Sequence, residues 1–558
     1  MMRRLGIAIV TAALLAASCG GGSDEPLEPA AAAERLAELA DGIDWINDPV
    51  SRSASIQLGA PKVLADTLPS IDEFPLVVRS GRRSGVVVEI FVSSEKGGEG
   101  DDAWMVEVAE DFNRAGVQLS DGSVAQIDLR KIASGTGYQF IASGNHLPAG
   151  YSPSNALWGE MASEFQPIAT VREQMVSNVA GIVMKDETAE SLRERYPDLN
   201  ASALIRGVID GDVVMGYTDP FASSTGLNFL LTVLDEFADG DPARLTDPAV
   251  VSVFEEFQRR VPFIALTTLQ IRESVQSDTG TLDAFVMEWQ TYTNTDSLRS
   301  GFEFIPFGIS HDNPLYAVGE LTDVEREALE AFAAFSGSDA SLEKARDFGF
   351  DPPAYNPAMS TPPGATLIQA QQVWKEKKDG GRTVAVVFVV DTSGSMTGTR
   401  IAALRTAMLS ATDFVKEETR IGVVEFSDVA RLRLPIAPFD GNQQGQFVAI
   451  AQDLEPAGGT AMYDGVVLGL DMLVADAELD PSIRPVLIVL TDGETTSGLS
   501  FSAIDNMVEG LRIPVFTVGF EADLDELAKL SSLVEAASIN ADEDNVEFKM
   551  AGLFNAGG

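Results

Sequence analysis

The chain has 558 residues, 45% hydrophobic and 22% charged, the balance of an ordinary globular protein rather than a disordered one. One hydrophobic core seldom grows past roughly 250–300 residues, so several domains are expected. The 39 basic residues stand against 84 acidic ones, a formal −45 that repels nucleic-acid phosphates and anionic headgroups and argues against a nucleic-acid partner.

The N-terminus opens with Met1-Met2-Arg3-Arg4 and an apolar run from Leu5 to Ala17. That run falls short of the about 20 residues a bilayer span requires, but it fits the apolar core of a secretory leader. It ends in Leu15-Ala16-Ala17-Ser18-Cys19, followed by three glycines. The stretch resembles a bacterial lipobox, with Leu15 one place off the usual position. The resemblance implies a signal peptide over 1–18, lipidation of Cys19 and an anchored, extracytoplasmic location, periplasmic or at the cell surface. Cys19 is the chain's only cysteine, so no disulfide can form within it. Two or more acyl chains anchor stably where one does not.

Residues 19–85 are expected to be a tether and N-terminal extension. Glu25 to Ala33 is rich in Pro, Ala and acid. A short helix is expected over Glu34–Ile46, and a strand near Phe74–Val78 that packs on the next domain.

Residues 86–355 carry a strand-helix alternation. Val86–Phe91 predicts a strand, Trp104–Asn113 a helix, and Ala125–Ile132 a second strand leading into Ser134-Gly135-Thr136-Gly137 and a further helix. Later come Gly216-Tyr217-Thr218-Asp219-Pro220, Ser223-Ser224-Thr225-Gly226, and a helix over Leu227–Glu236. Small hydroxyl residues and Gly before a helix leave free N–H groups that receive anionic or carbonyl oxygens. This stretch resembles two-lobed extracellular solute-binding proteins. The resemblance implies a small-molecule solute clamped between lobes. Candidate contacts are Ser93, Ser94, Ser134, Ser154, Thr218, Ser223, Ser224 and Thr225, each of which would equally serve as a helix cap. Glu95 would oppose a small oxyanion if it faced the cleft.

Paired prolines at 352–353 and 362–363 mark a linker over 356–381, with a helix expected at Ala365–Lys378 before Asp379-Gly380-Gly381.

Residues 382–558 alternate strand and helix again. Thr383–Val390 is a continuous apolar run, as in a parallel strand buried on both faces. A helix is expected over Arg400–Val415, strands at Ile421–Phe426, Val486–Leu490 and Val515–Gly519, and helices at Tyr463–Leu473 and Asp523–Leu530. The pattern predicts a Rossmann-like doubly wound α/β sheet, with ligands beyond the carboxyl ends of its strands. Three loops at that edge carry oxygen ligands: Asp391-Thr392-Ser393-Gly394-Ser395, Gly458-Gly459-Thr460, and Thr491-Asp492-Gly493. An all-oxygen set with more hydroxyls than carboxylates suits Mg²⁺, or Mn²⁺ or Ca²⁺. These motifs resemble the metal-ion-dependent adhesion site of a von Willebrand factor A domain. The resemblance implies that Ser393, Ser395 and Thr460 touch the metal, that Asp391 and Asp492 act through water, and that a protein partner offers an acidic residue. Asp391 and Ser393 would otherwise cap a helix. Asp464 and Glu494 are expected outside the ligand set, and Val423–Phe426 in the sheet.

The only histidines are His146 and His311, both expected in loops, so a zinc site or Ser-His-Asp triad has little material and no enzyme is expected. Two readings remain. One is an anchored binding and adhesion lipoprotein that captures a solute and docks a protein through metal. The other is a structural or assembly adhesion protein built on a degenerate solute-binding scaffold.

Overall fold

The computed structural model describes residues 26–556 apart from 56–61, 63, 82–84, 266, 269–270, 273–281, 358, 494, 523–526, 528, 532, 534–537 and 543. The leader, Cys19 and Glu494 lie outside the described residues, as does most of the helix expected at 523–530.

Residues 76–318 form two sheets. The first runs in the order Leu76–Val78, Ala125–Lys131, Val86–Val92, Gly150–Ser152, Leu315–Val318, Ile168–Arg172. The second runs Phe302–Ser310, Val179–Lys185, Ala284–Glu288, Met215–Thr218, Phe263–Ala265. The chain passes between them twice, after Arg172 and after Ser310, so the unit has two lobes joined by two crossings. Val86–Val92 pairs in parallel with Ala125–Lys131 and Gly150–Ser152, which brings the loops after Val92 and Ser152 to one edge, facing the second lobe.

Local chemistry sets the helices that feed this edge. Helix Trp104–Ala115 buries Trp104, Met105, Val108, Ala109 and Phe112, one stripe at helical spacing. It ends at Gly116, whose φ of 63° suits glycine. Helix Ser224–Ala238 starts three residues before the expected Leu227, because the Ser223 hydroxyl accepts from the Gly226 amide at 3.3 Å and caps it.

The third sheet has seven strands in the order Trp45–Asn47, Ala430–Pro438, Arg420–Phe426, Val384–Asp391, Arg484–Thr491, Val515–Phe520, Ser538–Ala541. Every residue of Val384–Asp391 is buried, as its apolar run requires. It lies parallel to both neighbours. Helices Thr399–Ala411 and Met462–Leu479 lie where helices are expected, the first ending four residues short of Val415 and the second extending six residues further. Two features differ from expectation. Ala430–Pro438 is an antiparallel strand on Arg420–Phe426. Its residues alternate basic and apolar side chains, a weaker signal than a wholly buried run.

The second difference is the N-terminal segment. The helix lies at Pro29–Gly42, with Pro in its first turn, and Leu36 and Leu39 join the core of the third sheet. Trp45–Asn47 then pairs in parallel with Ala430–Leu432. The Ala-rich run expected as tether is helical from Pro29 and packs against the C-terminal unit. Its small side chains permit close approach: a Cβ on Gly510 would lie 2.9 Å from Ala32 Cβ.

The linker helix Gly364–Lys377 docks on the two-lobed unit. Trp374 is fully buried and its indole donates to the Tyr217 hydroxyl at 2.7 Å. Among the described residues no helix is long and apolar enough to cross a membrane.

Candidate functional site

At the carboxyl edge of the third sheet, Asp391 ends its strand opposite Phe426, and Thr491 ends the adjacent one. The loop after Leu454 crosses this edge. The Ala457 amide donates to the Thr392 carbonyl (2.8 Å), the Gly394 amide to the Gly458 carbonyl (3.0 Å), and the Ala461 amide to the Ser427 carbonyl (2.8 Å). These bonds bring the three motif loops together around Asp391.

Asp391 is fully buried, and each of its oxygens is held. Oδ1 accepts from the Ser393 amide at 2.7 Å and Oδ2 from the Thr491 hydroxyl at 2.5 Å. Burial raises its pKa and the Asp492 charge adds to the rise, opposed by the bonds from Thr491 and Ser393. The Ser393 and Ser395 hydroxyls lie 3.0 Å apart, and Ser395 Oγ donates to Asp492 Oδ1 at 2.9 Å. Thr460 is tied in by its amide, which donates to Thr496 Oγ1 at 2.9 Å, while the Thr496 amide returns a bond to the Thr460 carbonyl.

Sequence reading missed three members of this cluster. Thr491 orients Asp391. Asp428, just past strand Arg420–Phe426, accepts from the Gly459 amide at 2.7 Å and holds the crossing loop. Arg400 donates to Asp492 Oδ2 at 2.8 Å and pairs with Glu521 at 3.2 Å. Thr491, inside the Thr491-Asp492-Gly493 motif, and Asp428, a carboxylate at the same sheet edge, had a readable signal; Arg400 did not. Asp464 accepts from the Leu499 amide at 2.8 Å and so positions the loop 495–501 rather than the cluster. Glu425 lies in the sheet, bonded to Thr392 and Arg433.

The donor set fits a hard divalent ion. Three hydroxyls and two carboxylates come from three loops, and waters complete the six oxygens that Mg²⁺ prefers. Among the described residues no group of three or more His, Cys, Asp or Glu side chains is placed to hold a metal, so an ion here would rest mainly on hydroxyls, unlike zinc. Beside the cluster, Tyr463 and residues 495–501 line a groove of about 440 Å³.

The second set of candidates lies between the lobes of the first unit. Ser93, Ser94, Ser134, Ser154, Ser223 and Ser224 line one cavity of about 30 Å³, with Glu95, Thr267, Thr268 and Glu288. Thr218 and Thr225 are buried beside it without lining it: Thr218 Oγ1 donates to Ser223 Oγ at 2.9 Å and Thr225 Oγ1 to Glu288 Oε1 at 3.2 Å. Such a volume holds a water or a monatomic ion.

The cleft supplies its own charges. Lys96, fully buried, donates to Ser93 and to Asn313 Oδ1 (2.9 Å) and lies 3.3 Å from Glu95. Glu95 also accepts from Ser93 and from Ser154 (2.9 Å). Burial opposes the ionisation of Glu95, but Lys96 and those hydroxyls hold it below the ordinary carboxylate value. Burial lowers Lys96, with Glu95 and Glu288 opposing. His311 lies in a loop, as expected, yet is buried. Two amides, from Asn155 and Asn228, donate to its Nε2 at 3.2 Å each, so Nδ1 carries the proton and donates to Glu288 at 2.9 Å. Lys96 and Glu288 had no signal in the sequence: Lys96 owes its place to Asn313, 217 positions away, and Glu288 to His311 and Thr225, which other elements supply.

Residues 385–551 match the family profile described as the von Willebrand factor type A domain. The C-terminal unit carries a von Willebrand factor A domain. Inter-alpha-trypsin inhibitor heavy chain H3 of Mus musculus is 28% identical over 148 residues, 25% of this chain and 16% of that protein, so the chain spans under a fifth of the length of such relatives. Among solved structures, a von Willebrand factor type A protein from Catenulispora acidiphila is 19% identical, covering 31% of this chain and 42% of its own, with a TM-score of 0.29. A periplasmic thiamin binding protein is 11% identical, covering 54% of this chain and 99% of its own, with a TM-score of 0.38.

Proposed function

We propose that this chain is an extracytoplasmic adhesion lipoprotein that docks a partner protein through a divalent ion held by its A domain. The observation that carries this reading is the convergence of Ser393, Ser395 and Asp492 above the buried Asp391, with Thr460 on the crossing loop. Ser393, Ser395 and Thr460 would hold Mg²⁺ directly, with Asp391 and Asp492 orienting its waters. The ion would supply an electrophilic position for a partner's carboxylate. The adjoining groove would receive the residues that flank it. Calorimetric titration of Mg²⁺ tests this. Asp391→Ala is expected to weaken binding at least tenfold, and unchanged affinity would sink the assignment.

Cys19 is proposed as the lipid anchor, on the lipobox-like residues before it. Cys19→Ser should move the protein from the detergent-soluble membrane fraction to the soluble one, and a variant that stays with the membrane would need another anchor.

For the first unit, the gathering of six serines from both lobes supports solute capture by an opened form. The cavity's volume and its internally paired charges favour the scaffold reading for the closed form.

A further inference from the structure

We propose that the seam between the two units holds a separate binding pocket for a small organic anion with an apolar body. A cavity of about 210 Å³ lies there, and Lys62, Lys375, Lys378 and Lys416 line it, four of the chain's eleven lysines. In a chain of net charge −45 this is a local reversal of sign. Phe414 and Phe554 also line it, as do two carboxylates, Asp379 and Asp413, so the lysines outnumber the lining acids. The pocket sits where strands Val384–Asp391 and Arg420–Phe426 begin, the opposite edge of the sheet from the metal-type loops.

Two of the four lysines make ion pairs. Lys62 pairs with Asp413 at 3.1 Å and with Glu547. Lys378 lies 3.6 Å from Asp379, which Arg484 holds at 3.1 Å. Lys375 and Lys416 make no ion pair among the described residues. Burial lowers the Lys375 pKa. Asp219 offsets part of that and Lys416 adds to it. Lys378 is lowered by burial too; Asp379 opposes this, while Arg484 and Lys416 add. An anionic headgroup between Lys375 and Lys416 would relieve their repulsion, while a short hydrocarbon body would cover the two phenyl rings.

The lining comes from five stretches of chain: the N-terminal segment, the end of the linker helix, the start of strand Val384–Asp391, the loop before Arg420 and the last helix, Val546–Ala556. That helix also touches the first unit, since Asn555 Nδ2 donates to Asp219 Oδ2 at 3.0 Å. A bound anion would therefore brace the two units against each other.

The test is calorimetric titration of the full chain with octanoate, and with octanamide as its neutral match. Octanoate is expected to bind, octanamide at least tenfold more weakly. Lys375→Gln/Lys416→Gln is expected to weaken octanoate at least tenfold. Lys416 is exposed and Lys375 partly so, so both variants should fold. Lys416→Glu, which reverses a charge at the surface, should also weaken binding. Absence of octanoate binding, equal binding of octanamide, or affinity unchanged in either variant overturns the proposal.

Discussion

The interlobe cleft and the A-domain loop cluster are both built from hydroxyls and carboxylates, but they draw their balancing charge from different places. In the cleft the cation is Lys96, with a fully buried side chain bonded to Ser93, Glu95 and Asn313. In the loop cluster it is Arg400, whose side chain is 31% exposed and reaches Asp492 from the solvent side. Moving Lys96 would strand a charge in the interior, whereas Arg400 can turn into water for the small cost of a partly exposed pair. An internally buried cation makes a joint, and one held from the surface leaves the carboxylate it pairs with open to exchange for another partner, as the proposed metal reading requires. The same residue types therefore serve opposite ends.

The largest expected effect breaks the joint. Lys96→Met should lower unfolding stability by about 3–5 kcal/mol, because Glu95 loses its buried partner. Urea denaturation followed by tryptophan fluorescence measures it, and a loss below about 1 kcal/mol would mean that the cleft is not held by this pair. A smaller effect sharpens the other half. Arg400→Gln should raise Mg²⁺ affinity about two- to fivefold while changing stability by less than about 1 kcal/mol. A fall in Mg²⁺ affinity would instead make Arg400 a support of the metal site.

The two sites were unequally readable. The Asp391, Thr460 and Asp492 loops each adjoin an element whose pattern is local, such as the buried run before Asp391, so order along the chain places them at one edge. The serines of the cleft were readable as helix starts, but their surroundings were not. Lys96 finds Asn313 across 217 positions, and Glu95 and Glu288 come from different lobes. Nothing near Lys96 in sequence says that it is buried, since a lysine after Ser93-Ser94-Glu95 ordinarily faces water.

By itself the sequence determined the two strand-helix units, the Pro-rich junction and the three hydroxyl- and carboxylate-bearing loops at the sheet edge, because apolar periodicity and turn residues act over a few positions. Only the tertiary structure decided that Trp45–Asn47 becomes an edge strand of a sheet whose next strand begins at Ala430, and that four scattered lysines share one pocket. Those placements depend on closing long loops. They arise when a sheet edge needs hydrogen-bond partners and two units pack, and no local stretch of chain encodes either event.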